Sequence, residues 1–305
     1  MSSKETQFGC NDELGYCGPK PDIQKENMEK PLLEIYTFID PICPECWAFE
    51  PTLRKLQVEY GEYFRIRYVI AGKLNAWDLC NPKYKDPSSL QNIAKVWEKT
   101  ASRTGMSCDG DLWFEDPISS PYTSYVAIKA AEMQGRQAGG RFLRKLRERL
   151  FLNKQNVSKE EVLLECAAEA GLDVEEFKND LHSNGSKKAL QCDVKTTKEM
   201  NVDHVPTFVF FNERIEDEGI KVAGIYQYEV YVQIIQTLLG YKPDPAPPNT
   251  LEQFLSQYNF VATKEVAVVF NISVTEAENR LKRLMLQQKV ERVPVKYGTF
   301  WRHLS

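Results

Sequence analysis

Two cysteines with two residues between them have the spacing of a thiol–disulfide pair: Cys43 and Cys46, in IDPICPECWAFEP. Residues 31–40 before them form an apolar, β-rich run, and the residues after Cys43 change to helical spacing. Cys43 is therefore predicted at a helix N-terminus, where unpaired backbone N–H groups and the positive end of the helix dipole stabilise a thiolate. In a redox role, Cys43 attacks a disulfide and Cys46 resolves the mixed disulfide.

Acidic residues beside the pair act against that chemistry. Glu45 lies between the two cysteines, and Asp40 lies shortly before them. A carboxylate near a thiol raises the thiol pKa because it disfavours a second negative charge. We expect a weaker, more reducing pair than a strong oxidant has. An alternative stays open, in which Cys43 and Cys46 cap a helix and face a partner without turnover.

The elements around the pair indicate an α/β domain. Residues 31–40, the helix after Cys43 and residues 63–72 form a predicted β-α-β unit. A mostly helical block of about five helices then runs from about residue 86 to 200. The sheet resumes as a predicted hairpin within residues 204–226, and a helix at residues 227–240 closes the domain.

The C-terminal part of the chain has a different pattern. Four prolines within residues 242–250 predict a stiff linker, because prolines so close together cannot continue a helix or a central strand. Residues 251–305 follow as three short helices and two strands, the outline of a winged-helix-like domain. Residues 249–305 contain eight Lys or Arg against five Glu, so this part is basic and the remainder is acidic.

Composition excludes some function classes. The 305 residues have a net charge of −4 and a pI of about 5.7, which argues against non-specific nucleic-acid binding by the whole chain. No apolar stretch approaches the roughly 18 to 20 residues that span a bilayer. The first 30 residues are charged, without the apolar core of a signal peptide, so we expect a flexible N-terminal segment and a cytoplasmic protein.

A second pair of cysteines, Cys10 and Cys17, lies in the Gly-rich stretch GCNDELGYCG. The two thiols could pair or bind a metal, or the stretch could stay disordered. Structural zinc takes four ligands at short spacings, and neither a histidine nor a second C-x-x-C motif is nearby. We expect no cofactor, with Cys10 and Cys17 as weak candidates for zinc.

The order of these motifs resembles the DsbA-like branch of the thioredoxin superfamily over residues 31–241. The resemblance rests on the first strand, CPECW, the helical insertion, VPT and the final hairpin and helix. It implies a cis Val205–Pro206 bond standing against the cysteines, followed by Thr207. The predicted fold class is α/β, a thioredoxin (DsbA-like) fold with a large helical insertion, plus a small winged-helix-like α+β domain. His204 replaces a common glycine and is expected as a solvent-facing loop residue.

A DsbA-like domain that begins with PLLEIYTFIDPICPECW and continues into a small C-terminal domain resembles the YjbH (SpxH) family of Gram-positive bacteria. Members of this family are adapters that bind the redox-responsive transcription regulator Spx and present it to the ClpXP protease. The resemblance implies the same two partners, adapter function and no required turnover for this chain. The groove that it implies for the partner is formed by Pro44, Glu45, Trp47, Val205, Pro206 and Thr207.

Two alternatives stay open. The first is a cytosolic thiol-disulfide oxidoreductase that uses Cys43 and Cys46. The second is a DNA-binding regulator that uses the C-terminal domain, whose basic side chains could contact phosphates. Those side chains are Arg280, Lys282, Arg283, Lys289, Arg292 and Lys296.

Overall fold

The computed structural model describes residues 8–11, 16–19, 33–71, 87–212 and 218–304. The chain divides into one unit up to Pro31 and a compact unit from Leu32 onward. In the first unit, strands β1 (Phe8–Asn11) and β2 (Tyr16–Pro19) pair antiparallel, and the backbone of Cys10 lies opposite that of Cys17. The rest of the predicted flexible N-terminal segment lies outside the described residues.

The second unit is built on a four-stranded sheet of order β4-β3-β5-β6. Strands β3 and β4 are parallel, β5 is antiparallel to β3, and β6 is antiparallel to β5. The predicted β-α-β unit and the returning hairpin are therefore confirmed. The strands are β3 (Leu33–Ile39), β4 (Phe64–Ile70), β5 (Thr207–Asn212) and β6 (Ile220–Ala223).

Three helices belong with this sheet, and we call the sheet and these helices together the thioredoxin-type unit. The helices are α1 (Pro44–Ala48), α2 (Glu50–Tyr60) and α10 (Tyr228–Leu239). Helix α1 is short because Pro51 lacks an N–H group, so the chain turns at Phe49 and Pro51 occupies the first turn of α2. Phe49 packs between the sheet and α10, in contact with the rings of Phe208 and Tyr231. Helix α1 precedes Phe49 directly, with Cys43 at its N-cap and Cys46 within it, and it buries Cys46 and Trp47 in the largest apolar cluster.

The helical insertion contains seven described helices, where the sequence predicted about five. It is fixed to the end of β4 by Asp193, whose carboxylate accepts the Ile70 N–H at 2.8 Å and pairs with Lys129 at 2.6 Å. The helices are α3 (Pro87–Thr104), α4 (Leu112–Glu115), α5 (Tyr122–Met133), α6 (Arg136–Asn153), α7 (Glu160–Glu169), α8 (Val174–His182) and α9 (Asn184–Glu199).

The C-terminal segment, residues 251–304, contains three helices and a small antiparallel sheet of order β7-β9-β8. Its own core surrounds Trp301, whose indole N–H donates to Thr263 Oγ1 at 2.8 Å. The short strand β7 is not anticipated by the sequence analysis. The elements are α11 (Leu251–Tyr258), β7 (Phe260–Ala262), α12 (Thr263–Val269), α13 (Val274–Leu286), β8 (Val290–Pro294) and β9 (Thr299–His303).

This C-terminal segment packs directly on the thioredoxin-type unit. Glu265 has no exposed surface and lies 2.8 Å from Arg54 of α2 and 3.0 Å from Arg144 of α6. The proline-rich stretch is also fixed, because the Ala246 N–H donates to the Glu59 carbonyl at 2.7 Å. Separating a buried carboxylate from its two arginines costs free energy. This ion cluster therefore holds the C-terminal segment on the rest of the unit, in addition to the chain that connects them.

None of the helices in the described part of the chain is both long enough and apolar enough to cross a membrane.

The attachment of the insertion to β4 gives a stability prediction. Asp193→Asn keeps an acceptor for the Ile70 N–H but leaves the buried Lys129 ammonium with only the partly exposed Glu132 as a counterion. We expect the free energy of unfolding to fall by about 3 kcal/mol, the lower end for breaking a buried pair. Urea denaturation measures the change.

The matched control is Glu199→Gln on the same helix, since it removes only an exposed pair with Lys195. Its effect is expected to stay under about 0.5 kcal/mol. Equal effects of the two substitutions would contradict this role for Asp193.

Candidate functional site

The two cysteines of the CPEC motif occupy different environments at the start of α1. Cys43 is the N-cap residue and half-buried, and its sulfur accepts the Cys46 N–H at 3.4 Å. Cys46 is only 4% exposed. Burial raises the pKa of the Cys46 thiol well above its usual range, and the neighbouring Cys43 raises it further. Cys43 is therefore the thiol that a partner can reach, and Cys46 lies behind it as a neutral thiol.

Glu45, the carboxylate between the two cysteines, has hydrogen-bond partners in the insertion. It accepts two hydrogen bonds from the Arg103 guanidinium, both at 2.7 Å, and one from the Thr100 hydroxyl at 2.8 Å. Both partners lie on α3, one turn apart. The carboxylate charge that the sequence places between the cysteines therefore has a cation beside it. Glu45 instead connects the cysteine helix to the insertion.

Trp47 is not on the wall of a groove, contrary to the sequence prediction. Its side chain has 0% exposure, and its indole N–H donates to the Ser107 carbonyl at 3.0 Å. The rings of Phe151 and Phe300 stack on it at 5.7 and 6.2 Å between centroids. A residue enclosed in this way cannot contact a partner, because its apolar surface is already buried within the chain.

The predicted cis bond between Val205 and Pro206 is confirmed. The Pro206 carbonyl accepts the Gly224 N–H at 2.8 Å, and the buried Thr207 hydroxyl donates to the His204 carbonyl at 2.9 Å. Through these bonds Pro206 and Thr207 hold the loop in place from the inside, and they do not form its surface. His204 is half-exposed and pairs with Asp203 at 2.6 Å, as expected for a loop residue.

Val205, the residue before Pro206, has backbone groups without a hydrogen bond in the described part of the chain. Its side chain is half-buried and packs against the same buried cluster that Cys43 borders. Within the described part of the chain, neither its N–H nor its C=O makes a hydrogen bond. Buried or half-buried backbone groups are normally paired, so this pair is available to an incoming strand.

Two apolar side chains beside this loop were missed by the sequence analysis. Ile225 and Tyr226 are 40% and 53% exposed, and they follow Gly224, which bonds to Pro206 and has a φ of +93° that favours glycine. The Tyr226 N–H donates to the Tyr231 hydroxyl at 3.1 Å, which fixes the turn. The signal in the sequence is the Gly-Ile-Tyr run that ends the predicted hairpin. We call Cys43, Pro44, Val205, Ile225 and Tyr226 the cis-proline surface.

Asp40 lies buried just before the motif. Burial raises the pKa of its carboxyl to about 6. Hydrogen bonds from the Ile42 N–H at 3.0 Å and from Tyr125, and the charge of Arg147, act to lower this pKa. The Arg147 guanidinium is itself almost fully buried and pairs with Glu50 at 2.6 Å. A polar network from the insertion therefore lies beneath the cysteine helix.

Three acidic side chains, Glu98, Asp109 and Asp111, converge closely enough to hold a metal ion. Lys296, from the turn between β8 and β9, lies among them, with its ammonium 3.2 Å from Asp109 and 2.8 Å from Asp111. An ammonium ion of the chain thus supplies the positive charge that the cluster needs. In the stretches that the structure describes, no other cluster of His, Cys, Asp and Glu has metal-ligand spacing.

Asp40 gives a pH prediction. Its pKa is raised from 3.8 to about 6 in the folded chain, so folding favours the neutral acid. The stability that this group contributes is present below pH 4 and is lost as the pH rises through 6, on the order of 2 to 3 kcal/mol. Asp40→Asn stays neutral and should not lose it. We expect the variant to gain that amount relative to the unsubstituted chain between pH 4 and 7, measured by urea unfolding. A difference that does not change with pH would contradict the raised pKa.

Comparisons with known structures show the fold. A Nitrosomonas europaea protein described as a protein disulfide isomerase matches with a TM-score of 0.60 at 17% identity, over 68% of this chain and 98% of that one. A Streptomyces coelicolor protein described as a DsbA oxidoreductase matches with a TM-score of 0.52 at 17% identity, over 71% of this chain and 100% of that one. The fold is therefore α/β and DsbA-like, with a helical insertion and a small C-terminal antiparallel sheet.

Comparisons of sequence show the family. A family model described as thioredoxin matches residues 36–233. A Halalkalibacterium halodurans protein named ClpXP adapter protein SpxH is 62% identical over 307 aligned positions, covering 100% of both chains. A Bacillus subtilis protein of the same name is 48% identical over 279 positions, covering 91% of each chain. The chain belongs to the thioredoxin family of that model and, within it, to the SpxH family of ClpXP adapter proteins.

Proposed function

We propose that this chain is a cytoplasmic adapter that binds an Spx-type transcription regulator and promotes its degradation by the ClpXP protease, directly or through the bound regulator. The name of the relatives supports the assignment, since the identity of 62% and 48% extends over 100% and 91% of this chain. The observation that carries the proposal is the cis-proline surface, where backbone groups of Val205 that make no hydrogen bond to any described residue lie beside exposed apolar side chains. No part of this function requires the cysteines to turn over.

The cis-proline surface suits an extended segment of the regulator. Such a segment pairs with the N–H and C=O of Val205, which is the backbone mode of strand addition. Ile225 and Tyr226 then bury apolar area against it, and aromatic residues of this kind are frequent among the residues that dominate binding energy. Of the six residues of the predicted groove, Pro44 and Val205 remain in this role. Glu45, Trp47, Pro206 and Thr207 support them from behind.

A thiol-disulfide oxidoreductase is the second candidate. Its specific support is the half-buried Cys43 at the start of α1, whose sulfur accepts the Cys46 N–H. The burial of Cys46, which raises the pKa of its thiol, fits a resolving cysteine as well as a structural one and does not decide between the two proposals. Both proposals use Cys43 and the backbone of Val205, but only the adapter proposal also explains the exposed apolar pair Ile225 and Tyr226.

For the C-terminal segment we infer a winged-helix arrangement, supported by its order of three helices and a β-hairpin. Its basic side chains give little support to DNA binding. Four of them already have acidic partners, and a cation that is paired within the chain contributes less to phosphate binding. The pairs are Arg280 with Glu276, Lys282 with Glu278, Lys289 with Glu252, and Lys296 with the acidic cluster.

We infer no cofactor for the adapter function. Cys10 and Cys17 supply two thiols, whereas structural zinc takes four ligands.

Replacement of both cysteines tests the first two candidates against each other. We expect Cys43→Ala with Cys46→Ala to bind a purified Spx-type regulator within about threefold of the unsubstituted affinity, because the backbone of Val205 and the apolar side chains remain. Degradation of the regulator by purified ClpXP should be accelerated equally by both forms. Loss of acceleration in the double variant, together with cysteine-dependent reduction of a test disulfide by the unsubstituted chain, would favour the oxidoreductase.

Replacement of the exposed apolar side chains tests the surface itself. We expect Ile225→Ser with Tyr226→Ser to weaken binding of the regulator by tenfold or more, about 1.4 kcal/mol, since both side chains lose buried area in the complex. Isothermal titration calorimetry measures the affinity. The matched control is Phe114→Ser, which removes a side chain that is 59% exposed on α4 of the insertion. Unchanged binding by the double variant, or equal loss in the control, would contradict this surface.

A further inference from the structure

We propose that the C-terminal segment positions the cysteine helix, and that Glu265 and Phe300 are the positioning residues. The two residues act through Trp47, which follows Cys46 directly in α1. One direct contact and two that pass through residues of the insertion connect the C-terminal segment to this side chain. Neither the family name nor the predicted two-domain arrangement contains this dependence.

The first contact is aromatic. The Phe300 ring of β9 lies nearly parallel to the Trp47 ring, with an angle of 3° and 6.2 Å between centroids. Both side chains have no exposed surface, so each covers apolar area that solvent would otherwise reach. Offset stacking of this kind adds to the area term and also fixes the orientation of the indole.

The second contact is ionic. Glu265 holds Arg144 by two hydrogen bonds of 3.0 Å each, and the Arg144 guanidinium lies 4.7 Å from the centroid of the Trp47 ring. Burial acts to lower the pKa of Arg144, but Glu265, Glu148 and Glu50 raise it, so the guanidinium stays charged. Removal of the Glu265 charge weakens the fixation of Arg144 over the ring, because one of its buried counterions is lost.

The third contact passes through Ser107. Its carbonyl accepts the Trp47 indole N–H at 3.0 Å, and its hydroxyl accepts the Tyr297 N–H at 3.2 Å. Tyr297 lies in the turn between β8 and β9, next to Lys296 and its three acidic partners. The turn of the C-terminal sheet is therefore fixed on the same short stretch that receives the indole.

The consequence falls on Cys46. Helix α1 has only five residues, and its inward side presents Cys46 and Trp47 to the same buried cluster. A helix of this length has little stability of its own and depends on tertiary packing. When the contacts on Trp47 loosen, α1 opens locally and Cys46 becomes accessible, while the core of the insertion stays closed.

This inference also extends the proposed function and, in that one respect, rests on it. Cys43 and Pro44 of the cis-proline surface lie in the first turn of α1. A change in how the C-terminal segment packs around Trp47 therefore changes the surface that binds the regulator. An adapter built this way has one site whose shape depends on the docking of the segment.

The test measures the rate at which each cysteine is alkylated by N-ethylmaleimide in the native full chain, resolved by mass spectrometry. The variants are Glu265→Gln, which keeps the shape of the side chain but removes the buried charge, and Phe300→Leu, which removes the ring. We expect alkylation of Cys46 to accelerate about tenfold in each, as local opening becomes more frequent. Cys166, fully buried in α7 of the insertion, is the internal control for global unfolding and should accelerate less than about twofold.

The matched control variant is Glu276→Gln, which removes an exposed ion pair with Arg280 on the same segment. It should leave both cysteines at their original rates. Unchanged protection of Cys46 in both folded variants would overturn the inference, and so would parallel acceleration of Cys46 and Cys166. The readout needs no regulator, so failure of the adapter proposal would leave this result intact, and the reverse also holds.

Discussion

The complete burial of Trp47 is the constraint on which the arrangement of this molecule depends. The side chain directly follows Cys46, and residues from the insertion and from the C-terminal segment enclose it. An indole of this size contributes several kcal/mol when it is fully buried. The three parts of the unit from Leu32 onward meet at that ring. The same packing buries an ion cluster near the ring. Arg54, Arg144 and Glu265 lie where α2, α6 and α12 come together and exclude water.

Much of the fold could be predicted from the sequence because its signals are local. The apolar run of β3, the change to helical spacing at Cys43 and the Val-Pro-Thr run at the start of β5 each depend on neighbouring residues, and all three are confirmed. The ion pair of Glu45 and the complete burial of Trp47 could not be predicted in this way. Arg103 is 58 residues from Glu45, and Phe300 is more than 250 residues from Trp47. A pattern along the chain cannot place residues so distant next to each other.

The site shows how an oxidoreductase-type fold can be used for binding. The features that a redox enzyme needs for its substrate are a reachable first cysteine, a cis-proline and free backbone groups before it. All three are present here, at Cys43, Pro206 and Val205. The additional features are the apolar pair Ile225 and Tyr226 and the C-terminal segment that holds α1 from behind. We infer that these additions favour a stable complex with a partner.

The most direct test of the account is amide hydrogen exchange at Val205 and at residues 224–227, with and without a saturating Spx-type regulator. In the free chain the Val205 amide should exchange rapidly, because it has no hydrogen-bond partner among the described residues. The account predicts that the regulator slows exchange at Val205 and at residues 225 and 226. A saturated complex in which these amides exchange as fast as before, with protection confined to α13 or to another surface, would contradict it.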